Sequence, residues 1–178
     1  MNLPGFRVLK SKTIYRGRVL ELAVDRIIEP GGVTAVRELV VHPGSVVILP
    51  RLPDGKVILV RQFRYPARKA LWELVAGSLE PGETPTQAAQ RELLEETGYR
   101  AQSFQPLFSF YPSPGFLSER MHLVEARGLT RSRAQPEADE RIRIGRFTIA
   151  QLRQRLIAHR FEDAKTLIGL LWLMGQTH

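Results

Sequence analysis

Gly77-Ser-Leu-Glu-Pro-Gly-Glu83, then Thr84-Pro-Thr-Gln-Ala-Ala-Gln90, then Arg91-Glu-Leu-Leu-Glu-Glu-Thr-Gly-Tyr99 run without a break near the middle of this 178-residue chain. Thr84 can cap a helix, Pro85 suits its first position, and Gln87 stands where a capping box reaches back to the cap. Gly98 is a natural left-handed terminator. The spacing therefore predicts a helix over 85–97. Ala89 and Leu93 lie four apart with Leu94 beside them, which makes an apolar stripe. Glu92, Glu95 and Glu96 stand at i, i+3 and i+4 and share a different face. Glu83 sits just upstream, in a Pro-Gly loop able to fold back toward that face.

A solvated acidic surface is the ordinary reading of an isolated Glu-x-x-Glu-Glu, since like charges on an exposed helix cost only about 0.2–0.5 kcal/mol per pair. In a cleft the balance changes. At an effective dielectric of about 20, two carboxylates ~5 Å apart repel by about 3 kcal/mol, and a divalent cation reverses that sign. Hard oxygen ligands without Cys or clustered His point to Mg²⁺ or Mn²⁺ rather than zinc. What decides is the full pattern: Gly, five residues, Glu, seven residues, then Arg-Glu-x-x-Glu-Glu-x-Gly. It resembles the Nudix box, the signature of Mg²⁺-dependent hydrolases that cut diphosphate linkages. Only the last position departs, with Tyr99 where an aliphatic residue is usual.

The length fits one domain, or one with a short appendage. Cys is absent, so no disulfide framework exists. The N-terminus lacks a secretory apolar stretch, and the longest apolar run, 167–174, is too short to span a bilayer; a cytoplasmic protein without membrane partners is expected. Net charge is +8, and all but five of the 26 basic residues are arginine. That balance favours anionic partners. The arginines are scattered and no basic-aromatic RNA motif is visible, so the charge reads as general phosphate steering rather than nucleic-acid binding.

Residues 6–42 read as a small antiparallel meander, with strands over 19–24 and 33–39 around a Glu-Pro-Gly-Gly turn. Val46–Leu49 and Val57–Val60 read as a strand pair around Pro53-Asp54-Gly55, apolar enough to be covered on both faces. Leu71–Val75 is a further strand leading to Gly77. Strands follow near 104–110, 122–125 and 142–147, and 131–140 reads as a loop. Two helices close the chain, about 149–159 capped by Thr148 and about 164–174 capped by Asp163. The expected fold is α+β, an α/β/α sandwich with a mixed central sheet, which agrees with the Nudix fold. The meander, 1–43, is set apart from a main domain over 44–178.

Tyr111-Pro-Ser-Pro114-Gly115-Phe-Leu-Ser-Glu119 is similar to the catalytic loop of ADP-ribose pyrophosphatases, with Pro114 fifteen residues beyond Tyr99. Val60–Pro66, Trp72–Gly77 and Arg37–Gly44 also match that subfamily. The resemblance implies hydrolysis of ADP-ribose, or a related nucleoside diphosphate sugar, to AMP and ribose 5-phosphate. It implies that Glu92 and Glu96 hold Mg²⁺ with the Ala76 carbonyl, that Glu95 assists, and that Glu83 supports from its loop. Arg91 would anchor the acidic face. Arg64 would grip the diphosphate or terminal ribose near Glu73, with Gly115 at the substrate loop. Glu119 would be the general base or a late metal ligand. Arg37 and Glu38 would contact the adenosine end, across a homodimer built by the meander. Trp72 and Trp172 read as core, Phe6 and Tyr15 as packing aromatics, and His42, His122 and His159 as isolated structural histidines. GDP-mannose, ADP-glucose, flavin dinucleotide and dinucleoside polyphosphate are alternative substrates. A non-cleaving ADP-ribose sensor is a different class, against which the complete set of carboxylates stands.

Overall fold

The computed structural model describes residues 5–132 and 142–176. Two compact units divide the chain: residues up to Gly44 with Tyr111–Arg120, and Ser45–Phe110 with the chain from Met121 onward. In the first, β1 (Arg7–Arg16), β2 (Glu21–Ile28) and β3 (Thr34–Val41) form the antiparallel meander in that order. Gly31 and Gly32, both at positive φ (89° and 85°), turn the chain between β2 and β3. The segment 111–120 is laced to β3. The Val40 N–H donates to the Phe116 carbonyl (2.8 Å) and the Ser118 N–H to the Val40 carbonyl (2.9 Å). The His42 N–H donates to Ser118 Oγ (2.9 Å). Phe6 and Tyr15 do not pack as expected but are exposed. Tyr15 lies on the edge strand β1, all ten residues of which are exposed, because three strands alone cannot cover both faces of their edge.

The second unit contains β4 (Ser45–Pro50), β5 (Val57–Arg64), β6 (Lys69–Glu73), β7 (Val75–Ser78) and α1 (Pro85–Thr97). It continues with β8 (Tyr99–Arg100), β9 (Ser103–Phe110), β10 (Met121–Arg127), β11 (Thr130–Arg131) and β12 (Arg143–Phe147). The helices α2 (Ile149–Ile157) and α3 (Ala164–Gln176) follow. A mixed sheet runs β7-β4-β10-β9, with β4 and β10 parallel. A second, antiparallel sheet runs β12-β5-β6, and β8 pairs with β11. Side chains alternate across β4: Val46 and Ile48 join the core under α1 with Ala88, Ala89 and Leu93, whereas Val47 and Leu49 join Leu152, Leu170 and Leu173 of α2 and α3. Helices thus cover opposite faces, which is why β4 is apolar at successive positions. This is the expected α+β sandwich.

Two strand readings need correction. β4 and β5 are consecutive but not a pair. Past one bridge, Arg51 to Val57, they enter different sheets. Leu71–Val75 is likewise two strands. The chain changes sheets at Leu74, whose N–H donates to Thr166 Oγ1 (2.8 Å) instead of to a neighbouring strand. The α2 helix stops at Ile157, because Ala158 caps it and His159 turns left-handed (φ 51°), and α3 runs on to Gln176. From residue 133 on, the loop read over 131–140 lies outside the described residues. Among the described residues no helix is long and apolar enough to cross a membrane.

The expected capping box at Thr84 forms, and the expected cap at Thr148 proves to be a box as well. The Thr84 side chain accepts from the Gln87 N–H and the Gln87 side chain from the Thr84 N–H, and Thr148 with Gln151 repeats the arrangement. Gly98 closes α1 at φ 67°. Thr84→Ala should lower stability by about 1 kcal/mol, a fall of about 2–4 °C in Tm for a chain of this size, read by thermal denaturation. An unchanged Tm would mean the box does not hold the helix start.

Candidate active site

The second half of α1 and the loop before the helix converge on one guanidinium. Arg91 Nε and Nη2 donate to the two oxygens of Glu83 (3.1 and 3.0 Å). Its Nη1 donates to Glu92 Oε1 (2.6 Å) and Glu95 Oε2 (3.2 Å), and Nη2 also reaches the Ser78 carbonyl (3.0 Å). All five N–H donors of the side chain are used. Its hydrogen bonds hold the Glu83 carboxyl below its ordinary 4.5, and the same bonds raise the arginine's own pKa. Gly77 faces this cluster closely: a Cβ built there would run into the Glu92 carboxylate. Ala76, one residue earlier on β7, pairs in register with Val47 of β4.

Glu96 is not part of a solvated face. It is 5 % exposed, among the residues α1 buries. Its charge is felt by Arg64, at the end of β5. Arg64 Nε and Nη2 donate to the two oxygens of Glu73 (2.9 and 2.8 Å), a bidentate pair with one partner only 1 % exposed. Burial pushes the Glu73 carboxyl up, but the bonds from Arg64 and the charge of Lys165 outweigh it and hold the group below 4.5. Lys165, which motif reading did not single out, donates to Glu73 Oε2 and to Asp163 Oδ1. No local pattern marks it, because its partner is ninety-two residues away.

The other anticipated residues lie in the meander unit. Glu119 Oε1 is 3.8 Å from His42 Nδ1, which also accepts from the Gly44 N–H (3.1 Å). His42 is therefore not isolated, nor is His122, whose Nδ1 meets Ser109 Oγ at 2.9 Å. Arg37 pairs with Glu29 and with the Val36 carbonyl, and Glu38 beside it is exposed. Gly115 lies in an open turn where a Cβ would meet nothing.

The residues fit a divalent cation. Four carboxylates on and before one helix, with the Glu92 carboxylate lying close against the main chain at Gly77, are hard oxygen donors beside a close backbone. Among the described residues no three acidic or histidine side chains form a ready cage, because Arg91 stands between three of them. Mg²⁺ needs none, being held through one or two carboxylates plus water and substrate phosphate.

The chain belongs to the Nudix family: the NUDIX domain matches residues 41–168. It is 38% identical to a methanol dehydrogenase activator of Bacillus methanolicus over 172 residues, 96% of this chain and 93% of that protein. It is 35% identical to the ADP-ribose pyrophosphatase of Bacillus subtilis (strain 168) over 169 residues, covering 94% and 91%. Among solved structures, a crystal structure of an ADP compounds hydrolase superposes with a TM-score of 0.84 at 26% identity, covering 99% of this chain and 98% of that one.

Two outcomes follow from this geometry. Glu83 and Glu73 titrate below 4.5 when folded, so the stability they contribute is full above that pH and is lost as pH falls through their lowered values. Tm measured between about pH 7 and about pH 3 should fall, and Arg91→Met should show a shallower fall because Glu83 loses its partner. A slope unchanged in that variant would contradict the coupling. Gly77→Ala should displace the Glu92 carboxylate, lowering activity on a nucleoside diphosphate sugar more than about tenfold with a loss of about 1 kcal/mol or less in stability. Full activity would show that Glu92 need not lie against β7.

Proposed function

We propose that this chain hydrolyses the diphosphate bond of ADP-ribose, or of a closely related nucleoside diphosphate sugar, to AMP and ribose 5-phosphate with Mg²⁺ (or Mn²⁺). The observation that carries this reading is the complete acidic box on α1, organised by Arg91, in a chain similar over nearly its whole length to an ADP-ribose pyrophosphatase. The cation would be held by Glu92 and Glu96 with Glu95 and the Ala76 carbonyl, where it would supply neutralisation of phosphate charge and activation of water. Arg64 offers a fixed, half-exposed cation to the diphosphate. Arg91, with every donor committed, gathers and aims the helix carboxylates rather than binding substrate itself.

Water attacks the adenosyl phosphorus, the bond from that phosphorus to the bridging oxygen breaks, and ribose 5-phosphate departs with the bridging oxygen. Glu119 takes the proton from the attacking water, a role worth about 10²–10⁴ in rate for a positioned base. Arg37, Glu38 and Gly115 serve the adenosine end and the substrate loop. A homodimer through the meander belongs to the same reading, supported by the exposed Val8, Leu9, Ile14 and Tyr15 of β1. The likeness to the methanol dehydrogenase activator favours a second reading, in which the chain activates a dehydrogenase.

The test is hydrolysis, with Mg²⁺, of ADP-ribose, GDP-mannose, ADP-glucose, flavin adenine dinucleotide and a diadenosine polyphosphate, with products separated chromatographically. AMP and ribose 5-phosphate should form fastest from ADP-ribose, and Glu96→Gln should abolish turnover while staying folded. Faster cleavage of another member would reassign the substrate. No cleavage of any, with tight ADP-ribose binding, would make the chain a sensor.

A further inference from the structure

Four charged side chains of alternating sign form a line through the second unit: Arg64, Glu73, Lys165 and Asp163. Their side-chain exposures are 39%, 1%, 10% and 17%, so the line has one open end, and that end is the arginine. Glu73 binds only the Nε–H and one Nη2 N–H of Arg64. Three of the five guanidinium donors are left over, in a fork whose plane the carboxylate fixes.

The far end is equally well built. Asp163 Oδ1 accepts from Lys165 Nζ (2.9 Å), while Oδ2 accepts from the Thr166 N–H (3.0 Å) and Oγ1 (2.6 Å) at the start of α3. Thr166 Oγ1 in turn receives the Leu74 N–H, one residue after Glu73. Gly169 allows this approach, since a Cβ there would strike Leu74. The first turn of α3 therefore supplies two separate contacts, Lys165 to the Glu73 side chain and Thr166 to the backbone of Leu74.

We infer that Lys165 is a positioning residue for substrate binding, acting on Arg64 through Glu73. A buried carboxylate and a single cation form a neutral pair, which leaves little net charge to act on an incoming anion. With Lys165 on Oε2, Glu73 is neutralised from the interior side and serves Arg64 as a hinge pin rather than a competitor. The guanidinium keeps both its orientation and an outward charge for a phosphate oxyanion. This inference rests on the reading of Arg64 as a diphosphate contact.

The test is steady-state kinetics on ADP-ribose for Arg64→Ala, Lys165→Met, their double variant and Thr166→Val. Lys165→Met should raise KM about tenfold, leave kcat within about twofold, and add nothing to the KM of Arg64→Ala in the double variant. Thr166→Val removes a buried hydroxyl but no charge at Glu73, so it should lower Tm without raising KM. If Lys165→Met does not fold, Lys165→Gln carries the same comparison. A Lys165 variant that loses stability but keeps the wild-type KM, as Thr166→Val should, would reduce Lys165 to a structural role and overturn the inference. An unchanged KM in Arg64→Ala would sink the diphosphate role of Arg64, and the inference with it.

Discussion

One guanidinium sets the acidic helix in order. Glu83, Glu92 and Glu95 converge on Arg91, and their mutual repulsion in a partly enclosed place would otherwise drive them apart. Every N–H of Arg91 has a partner, one of them the Ser78 carbonyl at the end of β7. The same side chain that holds the carboxylates together thus ties the helix to the strand carrying Ala76 and Gly77. Helix caps, strand and loop all serve that convergence: Thr84 and Gly98 fix where α1 begins and ends, and hence which residues face Arg91.

A second cation plays a contrasting part. Arg64 is gripped along one side only, by a carboxylate far more buried than itself. Arg91 is saturated and Arg64 is not, although both are arginines paired with glutamates. In chemical terms the first is scaffold and the second is available for recognition, a distinction made by the number of donors already spent.

Local chemistry was legible in the sequence wherever a feature is decided within a few residues. The helix at 85–97, the capping box at Thr84, the cap at Thr148 and the left-handed stop at Gly98 each depend on neighbours no more than four positions away. The sheet-switch at Leu74 was not legible, because an apolar run shows that a strand is covered on both faces and not which sheet it joins. Lys165 was silent for a related reason: its partner Glu73 comes from a distant strand, and a lysine one place before a helical threonine carries no signal. The burial of Glu96 lay between these cases. Its face was evident from spacing, but whether water or protein covered that face was decided by packing against the sheet.

The edge of the meander has a bearing on how the chain behaves when concentrated. An exposed outer strand carries a row of unpaired main-chain groups that can recruit further strands without limit. Here β1 breaks its register twice, between Val8 and Lys10 and between Thr13 and Tyr15, and Arg7, Lys10, Lys12 and Arg16 put positive charge along it. Kinks spoil a straight template and like charges repel an identical neighbour laid alongside. An edge made this way resists runaway fibril growth while its apolar side chains stay open to a single, shape-matched surface.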